Sequence, residues 1–94
     1  MYVRVVRFTD ADPERVAELV RSIEESDGPP PGVAMAAMKF VVDESARTAL
    51  SIQEYETAAD MAAAAKVFDA MDASETPGTR ASVDECELKL ELSA

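Results

Sequence analysis

The chain predicts an α+β fold in which four strands and two helices occupy all of its 94 residues. Three observations carry this prediction. Valine and aromatic residues open the chain, apolar residues recur at i, i+3, i+4 and i+7 in two later segments, and apolar and polar residues alternate near the end. In chain order these patterns read β-α-β-β-α-β, the ferredoxin-like split βαβ arrangement. We therefore expect a four-stranded antiparallel sheet with both helices on one face.

The first strand and the first helix have well-marked boundaries. The strand is predicted over Tyr2–Phe8, which is rich in valine and aromatic residues. Asp12 followed by Pro13 is typical of a helix N-terminus, because aspartate caps free amide groups and proline fits the first turn. We expect the helix to end near Ser26, before a segment of glycine and proline that cannot continue it. Its apolar stripe consists of Val16, Leu19, Val20 and Ile23.

Two strands joined by a polar hairpin are predicted in the middle of the chain. The segment Val33–Val42 is apolar at both parities, which indicates a strand that is covered on both faces. Residues 43–47 form the hairpin loop, and Thr48–Tyr55 is the next strand. Hydrophobicity alone directs Leu50 and Ile52 of that strand toward the helices. Its other face carries Ser51, Gln53 and Tyr55.

The second helix and the last strand complete the pattern. Thr57 and Asp60 resemble a capping box at the start of the helix. The last strand is predicted over Ser82–Leu92, with leucines on one face and mostly glutamates on the other. Cys86 lies on the leucine face, where we expect it to be buried as a small hydrophobic residue. The apolar stripe of the helix consists of Met61, Ala64, Ala65, Phe68 and Met71.

Composition and charge argue against several classes of function. The net charge of −10 disfavours binding to nucleic acid and to anionic membranes, because both repel an acidic chain. No apolar run approaches the roughly 20 residues that a membrane helix needs, and no signal peptide is visible. One cysteine and no histidine leave few metal ligands and no internal disulfide. We predict a cytoplasmic protein without metal or cofactor.

The predicted sheet needs a second cover. The two helices cover one face of the sheet. The other face would then expose the apolar residues Leu50, Ile52, Leu88 and Leu90. Such an apolar face would be larger than monomers usually expose. Packing the bare faces of two identical sheets about a two-fold axis would bury it. We therefore predict a homodimer; the alternative is a monomer that turns the charged side of its last strand outward.

Three segments give the chain a resemblance to a known family. They are the opening strand YVRVVRF, Pro31-Gly32 before the second strand, and SIQEYET from Ser51 to Thr57. With them the chain resembles the dimeric α/β-barrel superfamily, and within it the antibiotic biosynthesis monooxygenase group. The resemblance covers nearly the whole of residues 1–94 as a single domain. It implies a homodimer whose two sheets form a barrel, with a pocket in each subunit between sheet and helices.

The activities of that family differ among its members. Some oxidise aromatic polyketides with O₂ and no bound metal or flavin, and others bind and degrade haem. Haem degradation is not expected here, because the haem degraders use an Asn and a His and this chain has neither residue type. The Asn and Trp of the polyketide oxidases are missing as well. Two functions stay open: a cofactor-independent monooxygenase for a small aromatic or polyketide-type ligand, and a non-catalytic dimeric barrel for small-molecule binding or assembly.

The resemblance also implies an orientation for the third strand. It turns Tyr55, Gln53 and Ser51 toward the helices and sends Leu50 and Ile52 into the barrel. This is the reverse of what hydrophobicity alone favours. We adopt the orientation of the family, because a polar lining beside an apolar helix stripe is what a ligand pocket needs.

Candidate site residues follow from that orientation. Tyr55 would donate a hydrogen bond to a ligand oxygen, and Gln53 would orient the ligand. Arg4 and Arg7 have opposite parities, so one of them can face the pocket and hold a phenolate or carboxylate; a surface ion pair is the alternative. No catalytic residue is assigned, and core packing is the alternative for the apolar members of the set. The predicted ligand-binding residues are Tyr55, Gln53, Arg4, Tyr2, Met35, Met61 and Phe68.

Overall fold

Four strands and two helices make up the part of the chain that the structure describes. The structure is a computed structural model, and it describes residues 1–71 and 76–94. The elements follow the predicted order. They are β1 (Tyr2–Thr9), α1 (Pro13–Glu25), β2 (Ala37–Asp43), β3 (Thr48–Tyr55), α2 (Ala58–Asp69) and β4 (Thr79–Glu87).

The strands form one antiparallel sheet in the order β2-β3-β1-β4. Because each neighbouring pair is antiparallel, β1 and β2 run in the same direction with β3 between them. The same holds for β3 and β4 on either side of β1. The predicted α+β class and the four-stranded antiparallel sheet are confirmed, and the topology is compatible with the ferredoxin-like split βαβ arrangement.

Side-chain caps set the helix boundaries where the sequence predicts them. Asp12 Oδ1 accepts a hydrogen bond from the Glu14 amide at 2.9 Å, which satisfies one of the free amide groups at the start of α1. The Ser26 hydroxyl donates to the Ile23 carbonyl oxygen at 2.7 Å and closes the last turn of α1. Thr57 Oγ1 accepts from the Asp60 amide at 3.0 Å at the start of α2.

The second strand is shorter and more exposed than predicted. β2 begins at Ala37, next to the Ala36 amide that donates to the Glu54 carbonyl oxygen of β3 at 2.8 Å. The Val33 amide donates instead to the Pro30 carbonyl oxygen at 3.1 Å, so the start of the predicted strand forms a local turn. β2 is also an edge strand, and Phe40 is its one half-buried residue while the other six are exposed. The expectation of a strand from Val33 that is covered on both faces is therefore wrong for this chain.

The last strand is displaced toward the N-terminus relative to the prediction. β4 ends at Glu87, which pairs with Tyr2 at the start of β1, and only one further backbone hydrogen bond among the described residues, from the Leu88 amide to the Met1 carbonyl oxygen at 2.9 Å, extends this edge. The expected extension to Leu92 is therefore wrong, and Leu92 is 84% exposed. Cys86 pairs with Val3 on the face away from the helices and is exposed, so its expected burial is wrong too.

The hydrophobic core consists of two clusters on the helix side of the sheet. Three buried polar side chains, those of Arg4, Ser51 and Gln53, occupy the same side of the sheet. One cluster contains Val6, Phe8, Ala11 and Ala49. The other contains Val33, Tyr55, Met61 and Ala64.

The opposite face of the sheet carries apolar side chains that the helices do not cover. Leu50 and Ile52 are half-buried there, and Val41 is 45% exposed. The orientation that hydrophobicity alone favours for β3 is thus wrong, and the reverse orientation is confirmed. The homodimer and the barrel stay predictions. Neither helix among the described residues has the length and the apolar character that crossing a bilayer requires.

Candidate functional site

A buried arginine lies near the middle of the helix-facing side of the sheet. Arg4 belongs to the central strand β1, where it pairs with Gln53 of β3 and Glu85 of β4. Residues alternate between the two faces along a strand, so Arg4 shares its face with the buried Val6 and Phe8. Arg4 is 1% exposed. Burial of a charged group on this scale requires hydrogen bonds or opposite charge nearby.

Gln53 joins three polar side chains into one network. Its Oε1 accepts hydrogen bonds from the Tyr55 hydroxyl at 2.7 Å and from Arg4 Nη1 at 3.2 Å. Its Nε2 donates to Ser51 Oγ at 3.0 Å. Because a guanidinium can only donate, Arg4 fixes which end of the amide faces it. All four side chains are buried, so the network is part of the interior of the protein.

Arg4 is only partly compensated on its other side. Asp69 Oδ1 lies 3.6 Å from Arg4 Nη2, close enough for an ion pair but too far for a good hydrogen bond. The guanidinium carbon lies 5.4 Å from the centre of the Phe68 ring, within the range of a cation–π contact. Arg4 Nε is enclosed and has no hydrogen-bond partner among the described residues.

A second arginine uses the same carboxylate. Arg80 Nη2 lies 2.7 Å from Asp69 Oδ1, and Arg80 is 36% exposed. Arg80 faces this side because of a register shift in the β1–β4 ladder: Arg7 pairs with Ser82, but the next residue, Phe8, pairs with Arg80. The extra residue on β4 is a β-bulge, and it turns Arg80 to the same face as Phe8.

The environment shifts the acid–base properties of two buried groups. The pKa of Arg4 is lowered, first by burial and then by the positive charge of Arg80, while Tyr55, Asp69 and Glu85 act in the opposite direction. The pKa of the Tyr55 hydroxyl is raised, mainly because burial disfavours the phenolate and also because of Glu85; Arg4 partly offsets the rise. Arginine stays protonated in proteins, so Arg4 remains a cation and Tyr55 a neutral donor near neutral pH.

A cavity of about 740 Å³ lies between the sheet, the two helices and the proline-rich loop 26–36. This volume is within the range of small-molecule pockets. None of the thirteen residues of α1, all of which the structure describes, is fully buried, and Leu19 and Ile23 of its apolar stripe border the cavity. The sheet contributes Phe8 and Phe40, and no Asp or Glu appears in the wall among the described residues.

The predicted ligand-binding residues divide into two groups. Arg4, Gln53, Met35 and Phe68 border the cavity. Tyr55, Tyr2 and Met61 are not among its lining residues and belong to the core cluster around Val33 and Ala64. Tyr55 is fully buried and acts on the cavity through Gln53, whose carbonyl oxygen it orients.

Sequence analysis did not find Arg80 or Asp69. The alternating pattern predicts a strand that begins at Ser82, so Arg80 lies outside it, and a bulge cannot be recognised from the alternation of apolar and polar residues. Asp69 follows Phe68 at the end of α2, and its position beside Arg4 depends on how the helix packs on the sheet. The proline loop carried a clearer signal, because a glycine followed by three consecutive prolines cannot continue α1.

Comparisons with protein-family models, with curated proteins and with solved structures give no match to this chain. The fold and the site define an α+β protein with a buried arginine network beside a cavity, and the family resemblance stays a prediction. Within the described residues, no three Cys, Asp or Glu side chains come together as a metal site.

Replacing Tyr55 by Phe tests the network. We expect a loss of about 1 kcal/mol of unfolding free energy near neutral pH, the usual contribution of a buried hydrogen bond. The raised pKa of Tyr55 means that the folded protein keeps this proton where the unfolded chain loses it, above about pH 10. The difference in unfolding free energy between the wild type and Tyr55→Phe should therefore become smaller as pH rises beyond that point.

Urea unfolding of both proteins from about pH 8 to about pH 11 checks this expectation. Tyr2→Phe is the matched control, because it removes the same atom from a half-buried tyrosine without removing a described hydrogen bond. It should change stability by less than about 0.5 kcal/mol. If the wild type exceeds Tyr55→Phe in unfolding free energy by the same amount across the whole pH range, Tyr55 is not a buried, protonated donor.

Proposed function

We propose that this protein binds a small aromatic or polyketide-type ligand in the cavity between the sheet and the helices. The observation that carries the proposal is a cavity of about 740 Å³ whose wall is mostly apolar but includes the Arg4–Gln53–Ser51 network. Ligand pockets generally combine an apolar wall with a small number of convergent polar groups that orient the ligand.

The wall offers complementary contacts for each part of such a ligand. Phe8, Phe40 and Phe68 border the cavity and can pack against aromatic rings. Ser51 Oγ accepts a hydrogen bond from Gln53, and its own proton can be donated to a ligand oxygen. Met35 adds a flexible side chain that adapts to an irregular ligand surface.

A bulky side chain in the cavity should weaken ligand binding without harming the fold. The probe is N-phenyl-1-naphthylamine, a neutral aromatic dye whose fluorescence rises in apolar surroundings. Ala36 borders the cavity, so Ala36→Trp should weaken dye binding by at least about tenfold, or about 1.4 kcal/mol. Fluorescence titration of wild type and variant measures the effect.

Ala17→Trp is the matched control for that titration. Ala17 is exposed on α1 and is not a lining residue, so the same substitution there should leave the affinity within about twofold. Equal effects of the two variants would show that the dye binds elsewhere. Failure of the wild type to bind the dye would contradict the proposed function.

Oxygen chemistry on the bound ligand is a second candidate function, favoured by the position of Arg4. A guanidinium on the cavity wall lowers the pKa of a bound phenol, so that the phenol can lose its proton to water although the described lining residues include no carboxylate to accept it. The phenolate of an electron-rich ligand can reduce O₂ directly. The phenol becomes a quinone, with one oxygen atom retained as the new carbonyl and the other released as water.

Oxygen uptake tests this second candidate. Wild-type protein with tricyclic phenols and no added cofactor should consume one O₂ for each quinone formed, with uptake measured by an oxygen electrode and quinone by absorbance. Ala36→Trp should lose the uptake together with dye binding, while Ala17→Trp retains both. Phenols that bind but consume no oxygen across a broad panel would leave binding as the function and remove the oxygenase.

We also propose that two copies associate through the face of the sheet that the helices leave uncovered. The support is the apolar character of that face, where Ile52 and Leu50 are half-buried in the single chain. Ile52→Lys should convert a dimer to a monomer in native mass spectrometry, because it places a charge in the contact. Ala17→Lys, on the helix side, is the control. A wild type that is monomeric at micromolar concentration would overturn this part of the proposal.

A further inference from the structure

We propose that Arg4 and Arg80 form a subsite for an oxyanion, so that the ligand of this cavity is an aromatic carboxylate and not a neutral aromatic molecule. This inference rests on the proposed function and specifies its ligand class. Both arginines border the cavity, and both lie within 4 Å of a single carboxylate oxygen, that of Asp69. The ligand carboxylate would take the place that Asp69 holds between them.

The described contacts leave Arg4 short of acceptors. A guanidinium has five N–H donors, and the described residues provide one hydrogen bond to it, from Nη1 to Gln53. Nη2 lies 3.6 Å from Asp69, and Nε has no partner. Missing acceptors are costly here because Arg4 is buried. An added anion would also interact with Arg4 much more strongly than in water.

Asp69 is the partner that a ligand can displace. It is the last residue of α2 and is 57% exposed, so its side chain can turn to water without opening the core. A carboxylate near the C-terminal end of a helix is also disfavoured by the helix dipole. Arg80, 36% exposed, would remain at the cavity wall and meet the incoming anion with Arg4 Nη2.

Among the described residues, Glu85 is a further charge that acts on this site. It lies opposite Arg4 in the β1–β4 ladder and acts on the same buried guanidinium. Glu85 is exposed, and no ion pair within 4 Å joins it to either arginine among the described residues. Its attraction for Arg4 is therefore reduced by water, and it does not occupy the position between the two guanidinium groups.

A carboxylate on an apolar body fits this arrangement better than an inorganic anion does. Its two oxygens match the paired donors of arginine, one oxygen to each guanidinium or both to one. The remaining wall requires an apolar body, because Phe8, Leu19 and Phe40 border the cavity beyond the arginines. An inorganic anion would satisfy the arginines but would leave those apolar contacts unmade.

Binding of 2-naphthoate and 2-naphthamide, measured by calorimetry at constant ionic strength, tests the subsite. The two compounds share the ring system and differ in charge. Wild type should bind 2-naphthoate at least about tenfold more tightly than 2-naphthamide. Arg80→Gln should remove that preference while leaving 2-naphthamide within about twofold. Asp69→Asn should strengthen 2-naphthoate binding several-fold, because it removes the competing carboxylate.

Arg7→Gln is the matched control, because it removes the same charge from the neighbouring strand β1 on the opposite face of the sheet. It should leave both affinities within about twofold. Arg4→Lys keeps the buried charge and should reduce the preference for 2-naphthoate, with folding checked by circular dichroism. If Arg7→Gln weakens 2-naphthoate as much as Arg80→Gln does, overall charge explains the binding and the subsite is wrong.

The remaining outcomes separate the subsite from the proposed function. Equal affinity for 2-naphthoate and 2-naphthamide would overturn the oxyanion subsite and leave aromatic binding in place. If neither 2-naphthoate nor 2-naphthamide binds while N-phenyl-1-naphthylamine does, the oxyanion subsite is likewise overturned and aromatic binding is left in place. Failure of all three would overturn both proposals. If inorganic phosphate binds as tightly as 2-naphthoate, the arginines serve a free anion, and the aromatic acid is not the ligand.

Discussion

The guanidinium of Arg4 is buried near the middle of a four-stranded sheet, and much of the surrounding structure serves to compensate it. Burying an unpaired ion costs several kcal/mol, so its neighbours must lie at defined positions. Gln53 of β3 accepts a hydrogen bond from Arg4, while Phe68 and Asp69 of α2 supply a ring face and a negative charge. Arg4 thereby couples the register of the sheet to the packing of the second helix.

The polar network also explains where space remains inside the molecule. Two apolar clusters pack on the helix side of the sheet, and the buried polar side chains of Arg4, Ser51 and Gln53 share that side with them. Helix α1 does not close over this region, and its apolar stripe borders a cavity. The interior thus combines apolar walls with a buried cation, and the proposed binding of an aromatic carboxylate rests on this combination.

The sequence predicted those features that depend on local contacts. The starts of both helices are set by the caps Asp12 and Thr57, which act over two or three residues and can be recognised in the sequence. The ends of β2 and β4 were misjudged because a strand continues only as far as a neighbour pairs with it. Gln53 and Tyr55 were placed correctly by resemblance, against hydrophobicity. A buried polar residue is stabilised by partners distant in sequence, which no local pattern reports.

The bulge in β4 has a consequence for how this site can change. With regular pairing, Arg80 would lie opposite Thr9 on the far side of the sheet, and the cavity would contain a single arginine. The second cation is therefore specified by backbone spacing as much as by residue type. An insertion or deletion of one residue near the start of β4 would turn Arg80 away from the cavity while every residue that now lines the cavity is retained in the sequence. The carboxylate preference proposed for Arg4 and Arg80 would therefore depend on chain length near β4 as well as on the residues that line the cavity, a dependence that comparison of lining residues would not reveal.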